Sequence, residues 1–289
     1  MANKPRFLIL DGYAKEYRDQ FDEVGMKQAW ILYRDMLLKY LPEAEYDVWL
    51  SSDDTKGGPT DAELPNYAAI LWPGCNLTCY HDNERVTCQL DLVRRAYAAG
   101  VPGFGTCWGI QIAVYVAGGS VEPHPKGREM GLARNIHLTP EGLRHPFFEG
   151  KPPVYSHFVS HDDYITRLPD CAVCLAGNEW SPVQAAAVKY LNGEFWAVQY
   201  HPEYDLHEMA RLIVAREPRL VKQGMFRGHT DLMEYVDRIE ALAADPARTD
   251  LRWQLGIDDH VLDDSIRQCE FINWLDKLVL PRVGMRRNT

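Results

Sequence analysis

The sequence predicts an α/β fold: a central, mostly parallel sheet covered by helices on both faces, with a helical segment appended at its C-terminal end. Three observations predict it. Strand-like apolar runs alternate with helix-periodic segments up to Ser120. Short alternating runs follow between residues 132 and 200. From Asp205 onward the apolar residues recur at helical spacing.

The elements follow in order. Residues 6–10 form a strand that ends in Asp11-Gly12. Residues 26–40 place Ala29, Trp30, Tyr33, Met36, Leu37 and Tyr40 on one helical stripe. Residues 46–50 and 68–72 are short apolar strands, and 84–98 is a helix closed by Gly100. The apolar stretch from Val101 to Phe104 leads into a helix that stops at Gly118-Gly119. The runs 132–138, 153–159, 171–176, 183–190 and 194–200 are strands of a mixed sheet. Helices are expected at 205–216, 229–244 and 258–278. In the last of these, Val261, Ile266, Cys269, Phe271, Ile272, Leu275 and Leu278 form an apolar stripe. Two segments result, 1–205 and a helical extension 206–289 that is too short to supply much core of its own. Trp180, Trp196 and Trp253 are read as core. Strand–helix alternation places ligands at the carboxyl ends of the strands.

Composition narrows the function. The 289 residues include 31 basic and 41 acidic side chains, a formal charge of -10 that repels nucleic acid and anionic membrane. The N-terminal apolar run, Phe7 to Leu10, is too short for a signal peptide or a membrane span, so a cytoplasmic protein is expected. Seven cysteines, an odd number in a long chain, argue against a disulfide framework. Cys171 and Cys174 form a CxxC, yet no second pair or histidine cluster completes a zinc site, and Cys75, Cys79 and Cys88 show no metal spacing.

One cysteine has a special context. In Gly105-Thr106-Cys107-Trp108-Gly109, small residues stand two before and two after Cys107, between an apolar strand and a helix. A sharp strand-to-helix turn with a strained nucleophile needs that spacing. A thiol at a helix N-terminus is favoured as thiolate, the form that attacks carbonyls. A base is offered by Gln199-Tyr200-His201-Pro202-Glu203, directly after the run Glu194 to Val198. His201 lies at the end of that strand, and Glu203 is placed to hold its tautomer.

Together these motifs resemble the class I glutamine amidotransferases, in particular the glutaminase domain of GMP synthetases and its stand-alone relatives, over roughly residues 6 to 205. The resemblance implies a flavodoxin-like three-layer sandwich with a central mostly parallel sheet. It also implies a triad in which Cys107 is nucleophile, His201 general base and then acid, and Glu203 its orienter. Gly74, in Ile70-Leu71-Trp72-Pro73-Gly74, occupies the place of the family's oxyanion loop, where its backbone N–H would act with that of Trp108. The family commonly has a Gly-Gly-Pro type sequence there, whereas this chain has Trp72-Pro73-Gly74-Cys75-Asn76. Gln111 matches a position lining the glutamine pocket. Ser160-His161-Asp162-Asp163 resembles a Ser-His-x-Asp segment whose backbone holds the amino-acid end of glutamine, with Asp162 where the GMP synthetase group usually has glycine.

Each of these has a plainer reading. Gln111 also suits an exposed helix face, His157 and His161 suit the surface, and Glu129 is either a solvated loop carboxylate or a pocket residue.

The implied chemistry is amide hydrolysis through a Cys107 thioester, with no metal or organic cofactor. Three functions fit it: a glutaminase supplying ammonia to a separate synthetase subunit, a free-standing hydrolase of γ-glutamyl peptides or conjugates, and a non-catalytic relative that keeps the fold. No phosphate-binding loop marks a synthetase in the chain itself. The substrate is therefore expected to be glutamine or a γ-glutamyl compound, with no nucleic-acid or membrane partner. The apolar stripe of the C-terminal segment is open to three uses: packing on the sheet edge, docking a synthetase, or forming a homodimer.

Overall fold

A computed structural model describes residues 4–287. The opening Met1–Asn3, included in the reading of the N-terminus, and the last two residues of the 206–289 segment lie outside the described residues.

Nine strands form the main sheet, in the order β2 (Glu45–Leu50), β1 (Arg6–Asp11), β3 (Ala69–Trp72), β4 (Gly103–Thr106), β11 (Gly193–Val198), β10 (Ala185–Tyr190), β9 (Ala172–Gly177), β6 (Glu129–Leu138) and β7 (Val154–His161). The first five run parallel, and the other four pair antiparallel. Two short strands, β5 (Ser120–Pro123) and β8 (Asp163–Arg167), make a separate ribbon.

Alternation along β1 shows how the layers form. Phe7 and Ile9 face a core shared with Tyr33, Met36 and Leu37 of helix α2 (Ala29–Tyr40). Leu8 and Leu10 face the opposite core, with Val86, Leu92 and Val93 of α3 (Glu84–Ala99) and Ile110, Ile112 and Val114 of α4 (Trp108–Val116). The period-two side-chain pattern thus serves a sheet covered on both faces. Asn83 caps α3 by accepting from the Val86 N–H at 3.2 Å, and Gly100, at φ 73°, ends it in the left-handed conformation that glycine adopts without strain.

A third core joins α1 (Lys15–Val24), α5 (Leu206–Ala215), α7 (His229–Ala244) and α8 (Thr249–Leu255). Helix α6 (Glu217–Lys222) connects α5 to α7. Helices α1, α6 and α8 were not among those expected from the sequence.

The expected continuous helix 258–278 is interrupted. It divides into turns at Asp259–Leu262, Asp264–Arg267 and Cys269–Trp274, the last continuing through a wider π turn at Leu275–Val279. Asp258 starts the first turn by accepting from the His260 N–H at 3.0 Å; one break falls at Asp263, whose carboxylate accepts from the Ser265 N–H at 2.8 Å and starts a new turn, and the other at Gln268. Phe271, Trp274, Leu275 and Val279 nevertheless lie fully buried in the Phe7 core.

The three tryptophans expected in the core are not all there. Trp196 is buried, Trp180 is only half-buried, and Trp253 is 87% exposed. In α8, Leu251 and Leu255 take the inward stripe, which turns Trp253 outward. His157 and His161 are also buried, not superficial, because both fall on inward positions of β7.

Candidate active site

Cys107 sits between the end of β4 and the start of α4 with φ 49° and ψ -97°, a conformation that L-residues rarely adopt. The flanking glycines make the turn feasible. A Cβ on Gly105 would lie 2.8 Å from the Gly109 Cα, and one on Gly109 would lie 2.6 Å from the Trp72 carbonyl oxygen. The turn is tied to the neighbouring strand: the Cys107 N–H donates to the Val198 carbonyl at 2.9 Å.

That neighbour is β11, which delivers His201. Val198 pairs with Thr106 in register, and the His201 N–H donates to the Phe158 carbonyl at 2.8 Å. The His201 Nδ1 bonds Glu203 Oε1 at 2.7 Å, and the Tyr204 ring stacks on the imidazole at 4.2 Å and 7°. Glu203 is held from below, since the Thr106 hydroxyl donates to its Oε1 at 3.1 Å and the Tyr33 hydroxyl donates to Thr106 at 2.9 Å. The whole cluster is buried. Burial alone would strip the proton from His201, but the charge of Glu203, its hydrogen bond to Nδ1 and the proximity of Cys107 outweigh it, raising the imidazolium pKa to about 9. Cys107, His201 and Glu203 are therefore brought together as one group.

Gly74 and Trp108 border this group. A Cβ on Gly74 would lie 2.7 Å from His201 Cε1 and 3.3 Å from the Cys107 Cβ, so its backbone abuts both. Trp108 opens α4, where the first N–H groups have no intrahelical acceptor, and its indole is fixed by a 2.8 Å bond to Gln89.

A cavity of about 280 Å³ adjoins Cys107 and includes Gln111, Ser160 and His161 in its lining. These three are already engaged. Gln111 Nε2 donates to the Asp163 carbonyl at 3.1 Å, and Ser160 Oγ accepts from Arg128 at 2.8 Å. The nitrogens of His161 bond Glu129 and the Asp163 carbonyl at 2.9 and 2.8 Å. Glu129 is buried, bonded also to Gln184 at 3.1 Å and Asn178 at 3.3 Å, which rules out the solvated-loop reading. The Ser160 carbonyl faces the Cys107 Sγ at 3.6 Å.

Several polar residues of the site carry no distinctive signal in the sequence. In the sequence Tyr33 is part of an apolar stripe, Thr106 is the filler of an elbow, and Arg216 and Arg219 of the cavity wall belong to no motif. A larger cavity of about 1000 Å³, between β6 and α7, shares Arg128 with the first but includes none of Cys107, His201 or Glu203. Among the described residues, no cluster of three or more His, Cys, Asp or Glu is placed to hold a metal ion. Nor is any of their helices long and apolar enough to cross a membrane.

Comparison with known proteins gives the family and the fold. The family model described as glutamine amidotransferase class-I matches residues 33–217. A gamma-glutamyl-L-1-hydroxyisopropylamide hydrolase from a Pseudomonas species is 30% identical over 284 residues, covering 96% of this chain and 94% of the relative. A GMP synthase from Thermosipho africanus is 36% identical over 103 residues, which are 36% of this chain and only 18% of that enzyme. In fold, the chain resembles a glutamine amidotransferase from Thermotoga maritima, with a TM-score of 0.63 and 19% identity over 93% of this chain and 98% of that one. It also resembles one from Methylobacillus flagellatus, at 0.59 and 20% over 90% and 95%.

Proposed function

The chain belongs to the class I glutamine amidotransferase family, and from that premise we propose that it is a free-standing hydrolase of γ-glutamyl amides that works through a Cys107 thioester. One observation carries the choice of substrate. Similarity to the γ-glutamyl amide hydrolase extends over 94% of that protein and through the helical C-terminal segment, whereas the GMP synthase similarity covers 18% of its partner. The division into a catalytic part, 1–205, and a helical extension, 206–289, belongs to the same proposal.

In this reading Cys107, with His201 as base, adds its sulfur to the γ-carbonyl carbon. The N–H groups of Gly74 and Trp108 receive the oxyanion, each donor contributing roughly 3 kcal/mol. Collapse expels the amine, which takes a proton from the His201 imidazolium and leaves a thioester. His201 then removes a proton from water, hydroxide attacks the thioester, and glutamate departs as the thiol is restored. Glu203 keeps Nδ1 protonated, so that Nε2 is the working nitrogen.

A second reading, a glutaminase that supplies ammonia to a separate synthetase, is favoured by the GMP synthase similarity. One assay separates the two: glutamate release from glutamine and from a panel of γ-glutamyl amines and peptides, by the chain and by its Cys107→Ala variant. Fast turnover of the conjugates with slow turnover of glutamine is expected, and none in the variant. Glutamine turnover alone would move the assignment to the ammonia donor. Activity surviving in a folded Cys107→Ala protein would remove the nucleophile.

A further inference from the structure

The cavity beside Cys107 carries more charge than the triad uses. Three arginines (Arg128, Arg216, Arg219) and two aspartates (Asp162, Asp163) line it. Asp162 is committed twice, to Arg128 and to Arg219, the latter at 2.9 Å. That leaves one residue of each sign.

Arg216 makes no ion pair among the described residues. It is nevertheless held in place: Nη2 donates to the Tyr13 hydroxyl at 3.3 Å, and the guanidinium lies over the rings of Tyr13 and Phe21, at 5.8 and 5.6 Å from their centroids. Its Nε is buried without an acceptor. A rigid fork with unused donors is suited to a carboxylate. Asp163 makes no ion pair with lysine or arginine among the described residues. Its Oδ1 accepts from the Tyr80 hydroxyl at 3.1 Å, and burial pushes its carboxyl above the usual range, so a cation placed there would be welcome. The side chains of Gln111, Ser160 and His161 are occupied holding the loop around Asp163 and Arg128. A spare guanidinium and a spare carboxylate in one small cavity match the two charges of an amino-acid end.

We propose that Arg216 binds the α-carboxylate of a γ-glutamyl substrate and Asp163 its α-ammonium group, making Arg216 the residue that selects compounds with a free α-carboxylate. This rests on the amide-hydrolase reading. It accounts for a cation supplied from the junction of α5 and α6, beyond the triad in sequence.

The test compares three anilides hydrolysed by the full chain: γ-glutamyl, 4-aminobutyryl, which lacks the α-carboxylate, and glutaryl, which lacks the α-amine. The unsubstituted chain should prefer the γ-glutamyl compound by about 100-fold or more in kcat/KM, because a site built for a polar group rejects analogues that leave it unpaired. Arg216→Met should erase that preference over the 4-aminobutyryl compound, mainly through KM, and Arg216→Lys should restore part of it. Asp163→Asn should do the same for the glutaryl compound. An equal loss on all three compounds, or no loss in Arg216→Met, overturns the assignment. If the unsubstituted chain cleaves none of them, the hydrolase reading fails instead. The subsite is then read by calorimetry on the Cys107→Ala chain with glutamate and with 4-aminobutyrate. Glutamate affinity lost in Arg216→Met supports it, and unchanged or undetectable affinity overturns it.

Discussion

Gly74→Ala is a one-methyl perturbation whose effect can be worked from the structure. The new Cβ would lie 2.7 Å from His201 Cε1, while ordinary van der Waals contact begins at 3.4 Å, so one side must retreat by about 0.7 Å. His201 has little room to do so. Tyr204 stacks on the ring at 4.2 Å, and Glu203 holds Nδ1 at 2.7 Å. Either the imidazole shifts against Cys107, or the loop carrying the Gly74 N–H backs away from the oxyanion. A misplacement approaching 1 Å costs on the order of 100-fold in rate, about 2.7 kcal/mol of barrier. The expected result is a roughly 100-fold fall in kcat on a γ-glutamyl amide with KM little changed, since the proposed subsite for the amino-acid end lies elsewhere. Overpacking should also lower stability by about 1–3 kcal/mol, read from a urea melt. Gly228→Ala is the control, because a Cβ there meets nothing within 4 Å. A folded Gly74→Ala enzyme with kcat within threefold of the parent would refute both the steric argument and the placement of the oxyanion.

Three further outcomes are expected. Glu203→Gln should reduce kcat less than His201→Ala, since orienting a base matters less than being one, and the reverse order in steady-state assays would mean the two roles are misassigned. His201 keeps its proton to about 9 against 6.5 unperturbed, so the rate limb that needs the imidazolium should hold at neutral pH and fall as pH rises through about 9. In Glu203→Gln that limb should move to lower pH, because burial then acts with less opposition, and an unmoved limb would assign it to another group. Lys151 and Glu270 form an ion pair at 2.9 Å with no exposed side-chain surface, and Tyr200 donates to the same carboxylate. Glu270→Leu should therefore cost about 3–5 kcal/mol by stranding the Lys151 charge. Lys151→Met in the same chain should recover much of that loss, and urea melts showing additive losses would contradict it.

The parts of the site legible in the sequence are those written in consecutive residues. Gly105 and Gly109 are needed because their neighbours lie within a few residues or on the adjacent strand, so the elbow can be read as a string. The same holds for His201 and Glu203, two residues apart on one strand end. Tyr33, Thr106 and Arg216 were not legible because their value comes from contacts over long chain separations: Tyr33 reaches Thr106, Thr106 reaches Glu203, and Arg216 reaches Tyr13. A tyrosine on an apolar stripe and an arginine after a helix look alike whether or not they end in a site. The C-terminal helix is shorter than its apolar spacing predicts because that spacing says nothing of Asp263, which starts a new turn. Residue type alone points Trp253 inward, but its helix already has an inward pair in Leu251 and Leu255.

The two halves of the proposed catalytic pair stand on adjacent parallel strands, with Val198 in register with Thr106 and the Cys107 N–H bonded to the Val198 carbonyl. Their spacing is thus set by the ladder between β4 and β11, in the middle of a nine-stranded sheet. Local fluctuations of loops or side chains leave such a ladder intact, and it opens only with the sheet as a whole. On heating, then, the alignment of sulfur and imidazole would survive until the cooperative transition and vanish within it. The chain would behave as a machine whose working gap is cut into its frame: it wears out only when the frame comes apart.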